Sequence, residues 1–215
     1  MRYFITPNYC VPLNAKCASN SLCRRIIAAH YPEVESKLQQ AHYPPGLDAN
    51  KIQLHRFLPD TSRPDRPVAM LVREPLDRFL SGVAYLNINL EAAIDSLVNG
   101  THVQASRGSR QRSIRVSKNV HFAPQSEMPY GETHLFRFPD HLQDLAALLE
   151  IGLVPKLNIT PRPKPAVTPD QAAVILGHYA ADVALYASIT QPGVVIYAET
   201  QEPPDDSDNT AEGLS

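Results

Sequence analysis

Two short stretches carry residues whose types and spacing suit the handling of an anion. The first is "LNAKCASNSLCRRI", residues 13 to 26, where Lys16 stands in a run of small and hydroxyl-bearing residues. Cys17, Ala18, Ser19, Asn20 and Ser21 follow, and an amphipathic stretch begins at once. Small side chains let backbone amides approach a ligand closely, and amides at a helix start meet an anion together with the positive end of the helix dipole. The G-x-x-x-x-G-K-[ST] pattern of nucleotide triphosphatases is missing. The second stretch is "VREPLDRFLSGVAYL", residues 72 to 86, with Arg73 after an apolar run and Ser81 inside the helix that should follow. Arg73 offers a fork for two phosphate oxygens. Plainer roles are open to both: an ion pair with a neighbour for Arg73, a bond back to its own helix for Ser81.

Elements must hold these residues in place. "PVAML" with Val72, bounded by "TSRPDRP" and "REP", is a continuous apolar run of the kind a parallel strand covered on both faces requires. "KIQLHRFL" and "THLFRF" alternate and suit neighbouring strands, while "YCVPLN" is a weaker strand because Pro12 lacks a ladder donor. Helices are expected from Ser21 to Pro32 and after Pro75, where Leu76, Phe79, Leu80 and Val83 keep helical spacing. "DHLQDLAALLEIG" has Asp140 as a cap and Gly152 as a stop; "TPDQAAVILGHYAADVALYASI" starts with Thr168 as cap and Pro169 at its first position and should be the longest helix. Strands alternating with helices predict an α/β fold with a central parallel sheet flanked by helices, ligands lying at the carboxyl ends of its strands.

Composition sets the bounds. The chain has 215 residues, 43% of them hydrophobic, enough for one core, and residues 1–200 are expected to form a single domain. Residues 201–215 carry Glu202, Asp205, Asp206, Asp208 and Glu212 with no base, so an acidic, disordered tail is expected. Removing those five acids from the 22 leaves 17 against 20 Lys and Arg, a charge of +3 on the body. "SRGSRQRSIRVSK" holds Arg107, Arg110, Arg112, Arg115 and Lys118 without an acid, and reads as a solvated loop or as a rim over an anionic ligand. It has no aromatic residue for bases to stack on, so nucleic acid is not the expected partner. Cys10, Cys17 and Cys23 lack metal-ligand spacing, and neither a disulfide framework nor a metal is expected. No run is long enough to span a bilayer and "MRYFITPNYC" lacks a secretory apolar region, so a cytoplasmic location is expected.

Together the two stretches resemble the sulfotransferase superfamily, in which two such elements grip the ends of 3'-phosphoadenosine-5'-phosphosulfate (PAPS). "NAKCASNSL" is similar to the family's P-K-T-[AG]-[GS]-T-S-L in Lys16, Ala18, Ser21 and Leu22; the proline is absent and Cys17 replaces a frequent threonine. "REPLDRFLS" matches R-[DE]-P-x-x-R-x-x-S at every specified position. "NVHFAPQSE", "LNIT" with Lys164 beyond it, and "HYAADVALYASI" resemble the carbohydrate branch, the likeness spanning residues 9 to 189. The resemblance implies a P-loop-NTPase-like three-layer fold and sulfuryl transfer to a hydroxyl of a carbohydrate or glycolipid, without a metal. It assigns Lys16 to the leaving phosphate, the backbone of residues 17 to 21 to the 5'-phosphosulfate, and Arg73 with Ser81 to the 3'-phosphate.

The remaining roles stay open. His55, in "KIQLHRFL", is the candidate general base, since an imidazole neutral near pH 7 suits that work. His121 is its rival and, with Arg115, a candidate substrate contact; His42, Glu33 and Glu35 are further candidates. Cys17 at a helix start also raises the idea of a low-pKa nucleophile or redox sensor. Competing readings are a catalytically silent nucleotide-binding module and an atypical P-loop kinase, the latter weakened by the missing Walker loop and the lack of an acidic magnesium ligand.

Overall fold

The computed structural model describes residues 3–12, 14, 16–34, 60–61, 65–107, 110–155 and 162–197. "KIQLHRFL" with His55, together with His42, Glu35 and the acidic tail, lies outside the described residues. The strands are β1 (Tyr3–Ile5), β2 (Cys10–Pro12), β3 (Asp60–Thr61), β4 (Val68–Arg73), β5 (His102–Arg107), β6 (Arg110–Arg115), β7 (Glu132–Phe138) and β8 (Gly193–Ile196). The helices are α1 (Ser19–His30), α2 (Pro75–Leu86), α3 (Leu90–Asn99), α4 (Leu142–Leu148), α5 (Pro169–His178) and α6 (Ala180–Ser188).

The apolar run VAMLVR becomes β4, buried from Val68 to Val72, because both of its faces are covered. It pairs in parallel with β2 on one side and with β7 on the other, within a sheet of order β3-β1-β2-β4-β7-β8. The β1–β2, β1–β3 and β7–β8 pairs are antiparallel, so the sheet is mixed and the expected parallel arrangement holds only at its centre. The cause is connection length: β1 and β2 are joined by residues 6–9, too few for the crossover that a parallel pair needs.

Strand alternation divides β4 between two packing faces. Ala69 and Leu71 join Phe4, Val11 and Phe136 against Leu22, Ile26 and Ile27 of α1 and Leu145 of α4. Val68, Met70 and Val72 join Tyr3, Cys10 and Leu135 on the other face, where Leu185 and Tyr186 of α6 pack. A third cluster links α2, α3 and α5 to the β5–β6 hairpin through Phe79, Leu86, Leu97, Val103, Phe122, Ile175 and Tyr179. Burying each such side chain contributes about 1.5–3 kcal/mol, which fixes the helices on the sheet.

Three local expectations are corrected. The basic run is no loop: it supplies most of an antiparallel hairpin in which Val103 and Ala105 face the core while Gln111, Arg112, Ser113 and Arg115 remain exposed. The stretch after Thr168 opens with the expected cap, closed by a reciprocal bond from Gln171, but it is broken at Tyr179 into α5 and α6. Tyr179 stands at this break with φ −99° and ψ 31°, its buried hydroxyl donating to the Phe122 carbonyl at 2.7 Å, and the 12-residue α1 and α2 are longer. At α4 the cap position is taken by His141 instead of Asp140, the His141 Nδ1 accepting from the Arg137 amide at 3.1 Å.

Candidate anion-binding site

The site forms where β2 peels away from β4. Among the described residues Cys10 and Val68 are the one pair in register between them, and further along β4 side chains reach the backbone on this edge. Asn14 and Gln125 supply these contacts. Asn14 Nδ2 donates to the Leu71 carbonyl at 2.8 Å, and the Gln125 amide meets both backbone groups of Arg73, accepting from its N–H at 2.9 Å and donating to its carbonyl at 2.8 Å. Gln125 Oε1 also accepts from Asn14 Nδ2 at 3.1 Å and from the Cys17 thiol at 3.4 Å.

The loop released in this way turns sharply. Lys16 and Ala18 hold positive φ values of 69° and 58°, a left-handed backbone that side-chain-bearing residues adopt only at a cost. Ala18 occupies the cap position of α1 without a side-chain bond to its first turn. An alanine there leaves capping of the helix start to the backbone, solvent or a ligand.

Arg73, the last residue of β4, joins the second stretch to the first. Its Nη1 donates to the Lys16 carbonyl at 2.6 Å and lies 3.5 Å from Ser81 Oγ; its Nε and Nη2 meet Asp77 Oδ2 at 2.7 and 2.6 Å. Asp77 also accepts from Lys164. Burial opposes ionisation of Asp77, but the bonds from Lys164 and Arg73 outweigh it and hold the carboxyl below its ordinary value. Arg73, Asp77, Ser81 and Tyr85 follow one another at intervals of four and share one side of the strand end and α2. The Lys16 ammonium stands 4.1 Å from the Tyr85 ring centroid, and the His121 ring centroid lies 5.0 Å from that of Tyr85.

Lys16, Cys17, Arg73 and Ser81 are therefore brought together, and Lys16 and His121 both contact the Tyr85 ring. Arg115 is not brought in: it is exposed at the end of β6, in register with His102. The low-pKa idea for Cys17 is overturned, because complete burial pushes its thiol up to about 11 despite the nearby Arg78 and Arg73. Among the described residues no group of three metal ligands occurs, and no helix is long and apolar enough to cross a membrane.

Sequence reasoning gave no role to Asn14, Gln125 or Asp182, although the stretches "NVHFAPQSE" and "HYAADVALYASI" that carried the resemblance contain the last two. Asp182 is buried in α6 and accepts from the amides of Gln125 and Ser126, each at 2.8 Å, and from Ser126 Oγ at 2.7 Å. An acid within the apolar stretch "AADVALYASI" was the available signal for it. Comparison with protein-family models, with curated proteins and with solved structures found no match.

Proposed function

We propose that this protein is a PAPS-dependent sulfotransferase with a P-loop-like nucleotide site, moving a sulfuryl group to a hydroxyl of a carbohydrate or glycolipid. The observation that carries this reading is the Arg73 guanidinium set between the Lys16 carbonyl and Ser81, 57 and 8 residues away in the chain. It makes one site from two anion-type loops at the carboxyl ends of two parallel strands, the usual ligand position in open α/β sheets.

The chemistry asks for little beyond position and charge. Sulfuryl transfer, like phosphoryl transfer, needs the reactants in line and the charge spreading onto the leaving phosphate neutralised. The amides at the start of α1 receive the 5'-phosphate. Arg73 and Ser81 receive the 3'-phosphate, with the Lys164 ammonium held next to them by Asp77. Lys16, a compact charge on a flexible stem, follows the leaving oxygen; at rest it stands over Tyr85, the ring that His121 also packs against. His55 or His121 takes the acceptor proton.

Thermal or urea unfolding with added nucleotide tests the reading. Adenosine 3',5'-bisphosphate at about 100 times its dissociation constant should raise stability by about 2.7 kcal/mol. ATP should do less, and Arg73→Ala should remove the difference. Equal stabilisation by ATP, unchanged in Arg73→Ala, would refute the 3'-phosphate site. Incubation with labelled PAPS and candidate sugars separates a turning-over enzyme from a silent binding module, because only the enzyme transfers the label.

A further inference from the structure

Gln125 is fully buried, lies on neither anion loop, and bonds to both. Its single side-chain amide joins Asn14 and Cys17 of the first loop to the backbone of Arg73 in the second. An amide is the side chain that can do this, because its oxygen accepts while its NH₂ donates, matching the acceptor and donor of one backbone residue. Gln125 thus meets the N–H and the carbonyl of Arg73 together, as a neighbouring strand residue would. Its own backbone is fixed by the Asp182 carboxylate, which accepts from the amides of Gln125 and Ser126. A carboxylate accepting amide bonds forms strong, charge-assisted contacts. The sequence Asp182, Gln125, Arg73 and first loop is continuous from α6 to the start of α1.

We infer that Gln125 is a positioning residue that sets the spacing between the two anion loops, so that a nucleotide with phosphates at both ends is read by both at once. This rests on the two-loop nucleotide reading above. A rigid two-ended ligand gains from its second contact only if the two subsites are already at the right separation, since otherwise the ordering cost falls on binding. Gln125 touches no phosphate in this scheme. Its loss should leave each half-site usable and remove the advantage of engaging both.

The experiment is calorimetric binding of adenosine 3',5'-bisphosphate and adenosine 5'-monophosphate to the full chain, unsubstituted and with Gln125→Leu. The unsubstituted protein should prefer the bisphosphate by at least about tenfold, the factor for about 1.4 kcal/mol. Gln125→Leu should keep the monophosphate affinity within about threefold and lose most of that preference. A proportional loss of affinity for both nucleotides, or no loss at all, overturns the inference and leaves the nucleotide reading standing. A protein without preference for the bisphosphate refutes the nucleotide reading, and the inference with it.

Gln125→Glu supplies a second test if the leucine variant does not fold. Its protonated acid can still donate to the Arg73 carbonyl and its carboxylate cannot. The charged groups around it are Asp182 from α6, Arg73 from β4 and Arg78 from α2, with the Cys17 thiol beside it. Burial and the Asp182 carboxylate raise a carboxyl at this position and Arg73 and Arg78 lower it; at the adjacent Cys17 the same groups act and burial outweighs the arginines, so the Gln125→Glu carboxyl is expected to be raised toward neutrality. The bisphosphate preference of Gln125→Glu, divided by that of the unsubstituted protein at the same pH, should recover from pH 8 to pH 6. A ratio that does not change with pH overturns the inference.

Discussion

Lys16 is the residue on which the proposed chemistry turns. Charge reaches the bridging oxygen only as the sulfuryl group departs, so an ammonium there contributes more in the transition state than in the ground state. Lys16→Met keeps the stem and removes the charge; single-turnover transfer should slow by orders of magnitude while nucleotide affinity falls by a smaller factor. A loss confined to binding, with the bound-state rate unchanged, would reduce Lys16 to a ground-state clamp. Lys16→Arg should rescue poorly, because a planar fork cannot follow the leaving oxygen as a compact ammonium can. Lys16, Arg73 and Ser81 were legible in the sequence because each sits in a local pattern tied to the end of a strand. The role of Gln125 was not, although the resemblance includes its stretch, since its partners Arg73 and Asn14 lie 52 and 111 residues away and no periodicity marks it. Asp77 was also missed as a partner of Arg73, although the four-residue spacing on α2 contains it.

At the scale of elements, α2 connects site and core through its two sides. Arg73, Asp77, Ser81 and Tyr85 line the site, while Gly82 lies beneath the Phe122 ring, where an added Cβ would meet Phe122 Cε1 at 2.8 Å. Phe122 is buried and its ring also packs on Phe79, so it has little room to yield. Gly82→Ala should therefore destabilise, because overpacking of about 1–3 kcal/mol outweighs the gain of up to about 1 kcal/mol in helix propensity. A lowered urea midpoint with an unchanged slope would bear this out, and a raised midpoint would show that Phe122 yields. The central strand and α2 were legible because a buried strand and an amphipathic helix write their periods into the sequence. The break at Tyr179 was not, because the bonds that hold Tyr179 and Asp182 inward come from residues 122 to 126, distant in the chain. The hairpin was hidden by an arginine: Arg112, paired with Ala105, breaks the apolar alternation that Val103 and Ala105 keep on the partner strand and Ile114 continues.

For the whole molecule, the three apolar clusters share a chemical feature that makes stability depend on alkaline pH. Cys17 and Cys23 lie in the first cluster, Tyr3 and Cys10 in another, and Tyr179 in the third. Burial raises all five groups, with Cys17 pushed up to about 11 and Tyr3 and Cys23 to about 12. Each is neutral when protonated, so the folded state keeps protons that the unfolded chain gives up from its ordinary values of 9.0 for the thiols and 10.0 for the tyrosines. Above about pH 9 the unfolded state binds fewer protons, and the free energy of unfolding must fall as pH rises. The contribution is whole below pH 9 and is lost as pH climbs through the folded values near 11 and 12. Urea midpoints should be level across this set of groups between pH 7 and 8.5 and then decline. Cys17→Ala should make the decline between pH 9 and 11 shallower, because it removes a thiol that ionises from 9.0 in the unfolded chain but keeps its proton in the folded one up to about 11. A decline of the same steepness in that variant would mean that Cys17 is open to solvent; it would then be alkylated by iodoacetamide at pH 8 in the folded protein, whereas a buried thiol reacts only after unfolding.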